Sequence, residues 1–245
     1  MNQVIEIMKQ HRSIRKFQEK AVEEKLIRSI LEAAQHASTS NFVQAYTIVK
    51  VADPDKRAQI AELAGPQPWV EQSPLFLVFC ADLKRHEKAC GMCGREMVKG
   101  YTEQFIIATV DAALVAQNTL LAAESLGLGG VYIGGIRNDP QKVCDLLEIP
   151  ELVYPVFGMC LGYPAEDPQP KPRLPLDTVL KVDRYSEAED EAQLSSYDQV
   201  CCDYYNLRDC GDRDDNWTQQ ISRLMCKEMR PHMRAFLESK GFPMK

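Results

Sequence analysis

No uninterrupted apolar run in this sequence reaches the ~18–20 residues of a membrane span. The segment Met1 to Gln10 carries Glu6 among its apolar positions and lacks a signal-peptide hydrophobic region, so the expected location is the cytoplasm, with no membrane partner. Histidine is scarce, with four in the chain (His11, His36, His86 and His232), and a hydrolytic triad has no support. No Gly-x-Gly-x-x-Gly follows a strand pattern; Gly127-Leu128-Gly129-Gly130 follows a helical one, which fails the dinucleotide fingerprint in spacing and context. A Walker loop, a Gly-x-Ser-x-Gly elbow and a His-Glu-x-x-His pair are also missing. Glycine (13) and proline (14) are too few for a collagen-like or low-complexity chain. Basic charge is in deficit: the net charge is −6, which argues against nucleic acid or an anionic membrane as a bulk partner. Any anion site must therefore be a local basic cluster.

What is present is enough for a core. The chain has 245 residues, 45% of them hydrophobic, and needs no metal or disulfide staple to fold. Its nine cysteines, an odd number in so long a chain, read as reduced thiols. Val4, Ile5 and Met8 stand at helical spacing, followed by the basic joint His11-Arg12-Ser13-Ile14-Arg15-Lys16-Phe17. A second helix is predicted over Val22 to Gln35, with Leu26, Ile27, Ile30, Leu31 and Ala34 as its apolar stripe, and Ser38-Thr39-Ser40-Asn41 stops it. Thr47 to Val51, Leu75 to Cys80, Val131 to Ile133 and Val153 to Leu161 read as strands. Pro54 to Leu63, with Gly65 beyond its end, and Pro140 to Leu147, with Asn138 or Asp139 as cap, read as helices. Thr102 to Leu126 is the longest helical signal, so apolar that burial nearly all round is expected, as a central or oligomer helix. After Gly162, five prolines between Pro164 and Pro175 predict a stiff extended arm. Glu187 to Lys245 is charged and helical in pattern, with an amphipathic last helix near Trp217 to Leu237. Interleaved strands and helices give an α/β or α+β class, and two helices ahead of the first strong strand argue against a doubly wound start.

His86, Cys90 and Cys93 could supply three metal ligands, but no second close pair completes a zinc site. The segment is charged and Gly-rich, like an exposed surface loop. Four other pieces carry a binding hypothesis. His11-Arg12-Ser13-Ile14-Arg15 gathers donors suited to phosphate and polar ring edges, against the plain reading of a solvated basic turn. Ser38-Thr39-Ser40-Asn41 with Gln44 close by is the second piece, or is only a helix stop and loop. Lys171-Pro172-Arg173 fixes two cations on a rigid arm, or is an exposed linker. Gly134-Gly135 after a buried strand lets a planar ligand approach the backbone, or is a plain turn.

In this order, and with the string Ala122-Ala123-Glu124-Ser125-Leu126-Gly127-Leu128-Gly129-Gly130-Val131-Tyr132-Ile133-Gly134-Gly135, the sequence resembles the nitroreductase family, in its oxygen-insensitive NADPH nitroreductase and NADPH–flavin oxidoreductase branch. The resemblance covers most of the chain. It implies an α+β fold with a central, mostly antiparallel sheet flanked by helices, in a domain-crossing homodimer that holds FMN. It further implies a core over residues 1–175 and a helical extension over 176–245 that packs on the core and the partner subunit. By motif match, His11, Arg12, Ser13, Arg15, Thr39, Gln67, Tyr132, Ile133, Gly134, Gly135, Lys171 and Arg173 look like FMN contacts, with Arg15 or Lys171 tuning the reduced ring. Thr39 stands where the family has serine, and its hydroxyl is expected to donate. The implied activity is ping-pong hydride transfer from NADPH through FMN to nitroaromatics, quinones or free flavin. Arg208 and Arg213 match the branch's contacts to the NADPH 2′-phosphate, although Asp209, Asp212, Asp214 and Asp215 beside them oppose a phosphate. The competing readings are a non-enzymatic FMN- or anion-binding module and a thiol- or metal-based stress sensor built on Cys90 and Cys93.

Overall fold

The computed structural model describes residues 2–207 and 216–245. In chain order the helices and strands are α1 (Gln3–Lys9), α2 (Glu24–Ala34), β1 (Tyr46–Lys50), α3 (Pro54–Leu63), α4 (Pro68–Gln72), β2 (Leu75–Asp82), α5 (Lys84–Met92), α6 (Thr102–Ser125), β3 (Gly129–Ile133), α7 (Pro140–Leu147), β4 (Val153–Gly162), α8 (Leu176–Val179), α9 (Asp190–Asn206), α10 (Trp217–Met225) and α11 (Met233–Ser239). They divide into two compact units: Met1–Pro168 with His232–Lys245, and Gln169–Pro231.

The first unit is built on one antiparallel sheet in the order β1-β2-β4-β3. Successive side chains of a strand leave by opposite faces, so β2, which is buried along its whole length, feeds two cores at once. Phe76, Val78 and Cys80 join Val131 and Ile133 with Ile60 of α3, Val143 of α7 and Phe236 of α11. Leu75, Leu77 and Phe79 join Met159 and Leu161 with Ile27 and Ile30 of α2 and Val115 and Leu120 of α6. Each such fully buried side chain contributes about 1.5–3 kcal/mol relative to exposure.

Local chemistry fixes the helix ends. Asp53 accepts from the backbone N–H groups of Asp55 and Lys56 at 2.9 and 3.2 Å to open α3, and Gly65, at φ 86°, follows its last turn. The cap of α7 is Asp139, which accepts from Lys142 N at 3.2 Å.

Three expectations are corrected. Helix α6 is buried on one face only: Ala108, Asp111, Ala112, Val115, Ala116, Thr119, Leu120 and Ala123 face inward, while Ile106, Val110 and Leu114 are exposed. Its most apolar stretch has a mean hydropathy of 1.6 over a 24-residue helix, long and apolar enough to cross a membrane, although Asp111 interrupts the run. The segment with His86, Cys90 and Cys93 is helix α5 and not a loop. Asp82 accepts from Lys84 N at 2.8 Å, and Lys84 pairs with Glu87 at 2.6 Å, so capping and charge pairing form a helix that buries no side chain. Among the described residues no three-ligand metal cluster occurs. Finally, the single last helix near Trp217 to Leu237 is two helices. Pro231, with Arg230 at φ 50° before it, breaks the run, and α11 returns to the sheet through Phe236 and Leu237.

Candidate functional site

The site is laid out by one short pairing. Beyond α1 the chain extends, and Ser13 forms a parallel bridge with Gly130 on the outer edge of β3, with Ile14 N donating to Gly130 O at 3.0 Å. Glycine is required beside this contact: a Cβ on Gly129 would lie 2.6 Å from Ile14 Cγ1. With Ile14 buried, the neighbouring side chains are presented along the sheet edge. His11 Nδ1 lies 2.6 Å from Glu124 Oε1 at the end of α6. Arg12 donates to Gln10 O at 2.9 Å and pairs with Asp167, whose side chain is 83% exposed. The backbone N–H groups of Arg15 and Lys16 donate to Glu166 Oε1 at 2.6 and 3.0 Å, so two acids beyond β4 hold the basic turn. Arg12, Ile14, Glu124, Leu128, Glu166 and Asp167 line a cavity of about 440 Å³.

A second group is tied together by a residue the sequence reading did not single out. The Arg15 guanidinium carbon sits 5.7 Å from the centre of the Trp69 ring. Trp69 Nε1 donates to Gln67 Oε1 at 3.1 Å, and Gln67 Nε2 donates to Ala64 O at 2.6 Å. Gly135 closes against the same turn, for a Cβ there would fall 2.6 Å from Gln67 Nε2. Arg15 is thus joined through Trp69 to Gln67, against which Gly135 packs. The signal available was that Trp69 is one of two tryptophans and lies two residues beyond Gln67.

Other candidates are placed differently. Thr39 donates to Asp111 Oδ2 at 2.6 Å and accepts from Gln44 N at 2.8 Å. Its proton is committed to a buried carboxylate, so it offers an acceptor and not the donor expected. Tyr132 projects to the α6 side of the sheet, edge-on to Phe157 at 5.0 Å, with its hydroxyl 3.4 Å from Gln117 Oε1. Burial, and then the Glu124 carboxylate, push its phenol well above the ordinary range. Ile133 is buried in the opposite core, and Gly134 opens the short helical turn to Arg137.

Lys171 and Arg173 belong to the second unit. Arg173 Nη1 donates to Lys171 O at 3.0 Å, and Lys171 Nζ lies 5.4 Å from the Tyr205 ring centre. Burial raises the Tyr205 phenol, but hydrogen bonding with Lys171 and Gln220 outweighs it and leaves the group below its ordinary value. Tyr197 and Tyr204 of α9 donate to Pro172 O and Gln169 O at 2.9 and 3.2 Å, anchoring the proline arm. Arg208 and Arg213 lie outside the described residues.

Comparison with known proteins gives a consistent result. The family model "Nitroreductase family" matches residues 8–163, and "Nitroreductase family, C-terminal domain" matches 171–245. The chain is 42% identical to "FMN reductase (NADPH)" of Bacillus subtilis, covering 99% of both chains. It is 41% identical to "Oxygen-insensitive NADPH nitroreductase" of Salmonella typhimurium, also over 99% of both. The solved structure of the NADPH:FMN oxidoreductase from Vibrio harveyi complexed with NAD+ superposes with a TM-score of 0.91 at 40% identity, covering 100% of both chains.

Proposed function

The chain belongs to the nitroreductase family, and from that premise we infer that it is an FMN-dependent oxidoreductase driven by NADPH. The observation that carries the reading is full-length likeness to relatives named for FMN reduction and nitro reduction with NADPH. The acceptors proposed are nitroaromatics, quinones and free flavin. FMN supplies a two-electron hydride store, so that NADPH and an acceptor use one face in turn.

The donor set suits such a cofactor. Arg15 has no carboxylate partner among the described residues, and its guanidinium is set against an aromatic face. Among the described residues Arg12 has one carboxylate partner, Asp167, so exposed that their pairing is worth only about 0.2–1 kcal/mol and yields to a phosphate. His11, Arg12 and Ser13 are assigned to the phosphate and ribityl chain. Arg15 is assigned to the pyrimidine edge, where its charge favours the reduced ring. Gln67 keeps one amide N–H and one carbonyl lone pair after its two internal bonds, and these are assigned to the flavin edge. Thr39 serves as an acceptor, and Tyr132 to Gly135 as the wall beside the ring. Lys171 and Arg173 keep the cofactor roles given by the motif match, and Arg208 and Arg213 that of the NADPH 2′-phosphate.

The exposed face of α6 with Val4, Ile5 and Met8 of α1 supports a homodimer in which a second copy covers these apolar side chains, and the location proposed for it is the cytoplasm. Initial rates with NADPH and a quinone varied together test the function. Parallel double-reciprocal lines and a kcat/KM favouring NADPH over NADH are expected. Intersecting lines overturn the alternating mechanism, and a preference for NADH overturns the assignment of Arg208 and Arg213.

A further inference from the structure

Helix α6 ends on a residue that its own electrostatics disfavour. Glu124 lies in the last turn, where the aligned peptide dipoles place partial negative charge and where no basic residue of the helix compensates. Its side chain is 13% exposed, so the carboxylate is also largely withdrawn from water. Among the described residues its ion-pair partner is His11, with Nδ1 2.6 Å from Oε1. His11 is itself held on both sides: its N–H reaches Met8 O at the end of α1, and two residues later Ser13 is bridged to Gly130. A carboxylate accepts only, so Nδ1 must carry the proton in this contact. The Nε2 edge then lies on the far side of the ring, available as an acceptor when the ring is neutral and as a donor when it is charged.

We propose that Glu124 is a positioning residue for cofactor binding: it holds the proton on His11 Nδ1 and the orientation of the ring, so that Nε2 meets FMN, accepting from a ribityl hydroxyl when the ring is neutral or donating to a phosphate oxygen when it is charged. This deepens the proposed function and rests on the placing of His11 in that site. It accounts for a carboxylate retained at the wrong end of a helix, since local rules are broken where function requires it.

The test titrates FMN into the FMN-free full-length protein, reading the quenching of flavin fluorescence. His11→Ala and Glu124→Ala are each expected to weaken binding about tenfold. The double variant is expected to be no weaker than His11→Ala, because both changes remove one interaction. Glu124→Gln, whose carbonyl still accepts from Nδ1–H, is expected to recover binding to within about threefold of the parent. Its FMN-free Tm should equal or exceed that of the parent, because an unfavourable charge has left the end of the helix. Long-range ¹⁵N–¹H spectra of the FMN-free protein, with the His11 signal identified by its loss in His11→Ala, are expected to show the Nδ1–H form, shifting toward Nε2–H in Glu124→Ala.

Additive losses, unchanged binding in Glu124→Ala, or an unchanged His11 tautomer would overturn the inference while leaving His11 in the site. A His11→Ala protein that binds FMN like the parent removes His11 from the site and overturns the inference with it, while FMN binding itself stands. A parent protein that takes up no FMN overturns the functional reading.

Discussion

Thr39 and Asp111 are joined at 2.6 Å across 72 positions of sequence, and the same Asp111 oxygen accepts Ala45 N at 2.9 Å. One buried carboxylate in the middle of α6 therefore fixes the loop that enters β1. Asp111→Ala strands a hydroxyl and a backbone N–H, with an expected loss of about 2–4 kcal/mol. Asp111→Asn keeps an acceptor and is expected to lose less than half of that. Urea denaturation of the two variants checks this, and equal losses would show that the charge matters and the hydrogen bonds do not.

Arg15, Trp69 and Gln67 form the next relationship to probe. Arg15→Lys keeps the charge but loses the planar face against Trp69. Arg15→Ala is expected to slow flavin reduction by NADPH at least tenfold, about 1.4 kcal/mol in the barrier, with Arg15→Lys intermediate. Trp69→Phe keeps a ring but removes the donor to Gln67, and is expected to weaken FMN binding by a factor of about three to ten at unchanged fold. Stopped-flow reduction and equilibrium FMN titration separate these effects.

Alkaline pH should destabilise the protein through its buried thiols and phenol. Burial pushes the Cys144 thiol up to about 11, the Cys160 thiol up to about 12 and the Tyr154 phenol up to about 12. A raised value in the folded state means that the unfolded chain releases its protons first. The stabilisation is therefore complete below the unfolded values, about 9 for the thiols and 10 for the phenol, and is lost as pH rises toward 11–12. Tm measured from pH 8 to 11 is expected to fall, less steeply in Cys144→Ala and Cys160→Ala than in the parent. A parallel fall would assign the effect to other groups.

Val110 and Leu114 are one turn apart on the exposed side of α6, 48% and 40% exposed. If a second copy covers them, Val110→Glu with Leu114→Glu gives a monomer in light scattering and lowers FMN retention. A monomeric parent would contradict the dimer.

Much of the fold was legible because its signals are local or strictly periodic. Proline and aspartate at the start of α3 and Gly65 after it bracket that helix, and the unbroken apolar run of β2 states burial on both faces. His11 to Arg15 and Gly134-Gly135 could be singled out as candidates because each is a contiguous motif. What was not legible depends on contacts across the chain. Helix α5 has no apolar stripe to read, only a cap from Asp82 and ion pairs. The outer face of α6 looked buried because composition alone does not tell a helix buried all round from one buried on a single face. Trp69 and the commitment of Thr39 to Asp111 follow from packing that no spacing encodes.

The most direct test of the account is an anaerobic titration of the purified protein, reconstituted with FMN and dialysed, with NADPH while visible absorbance is recorded. The flavin bands are expected to remain through dialysis, bleach with one equivalent of NADPH per bound FMN, and return on addition of a quinone. Bands that survive excess NADPH, or a protein that stays colourless after FMN and dialysis, would contradict it.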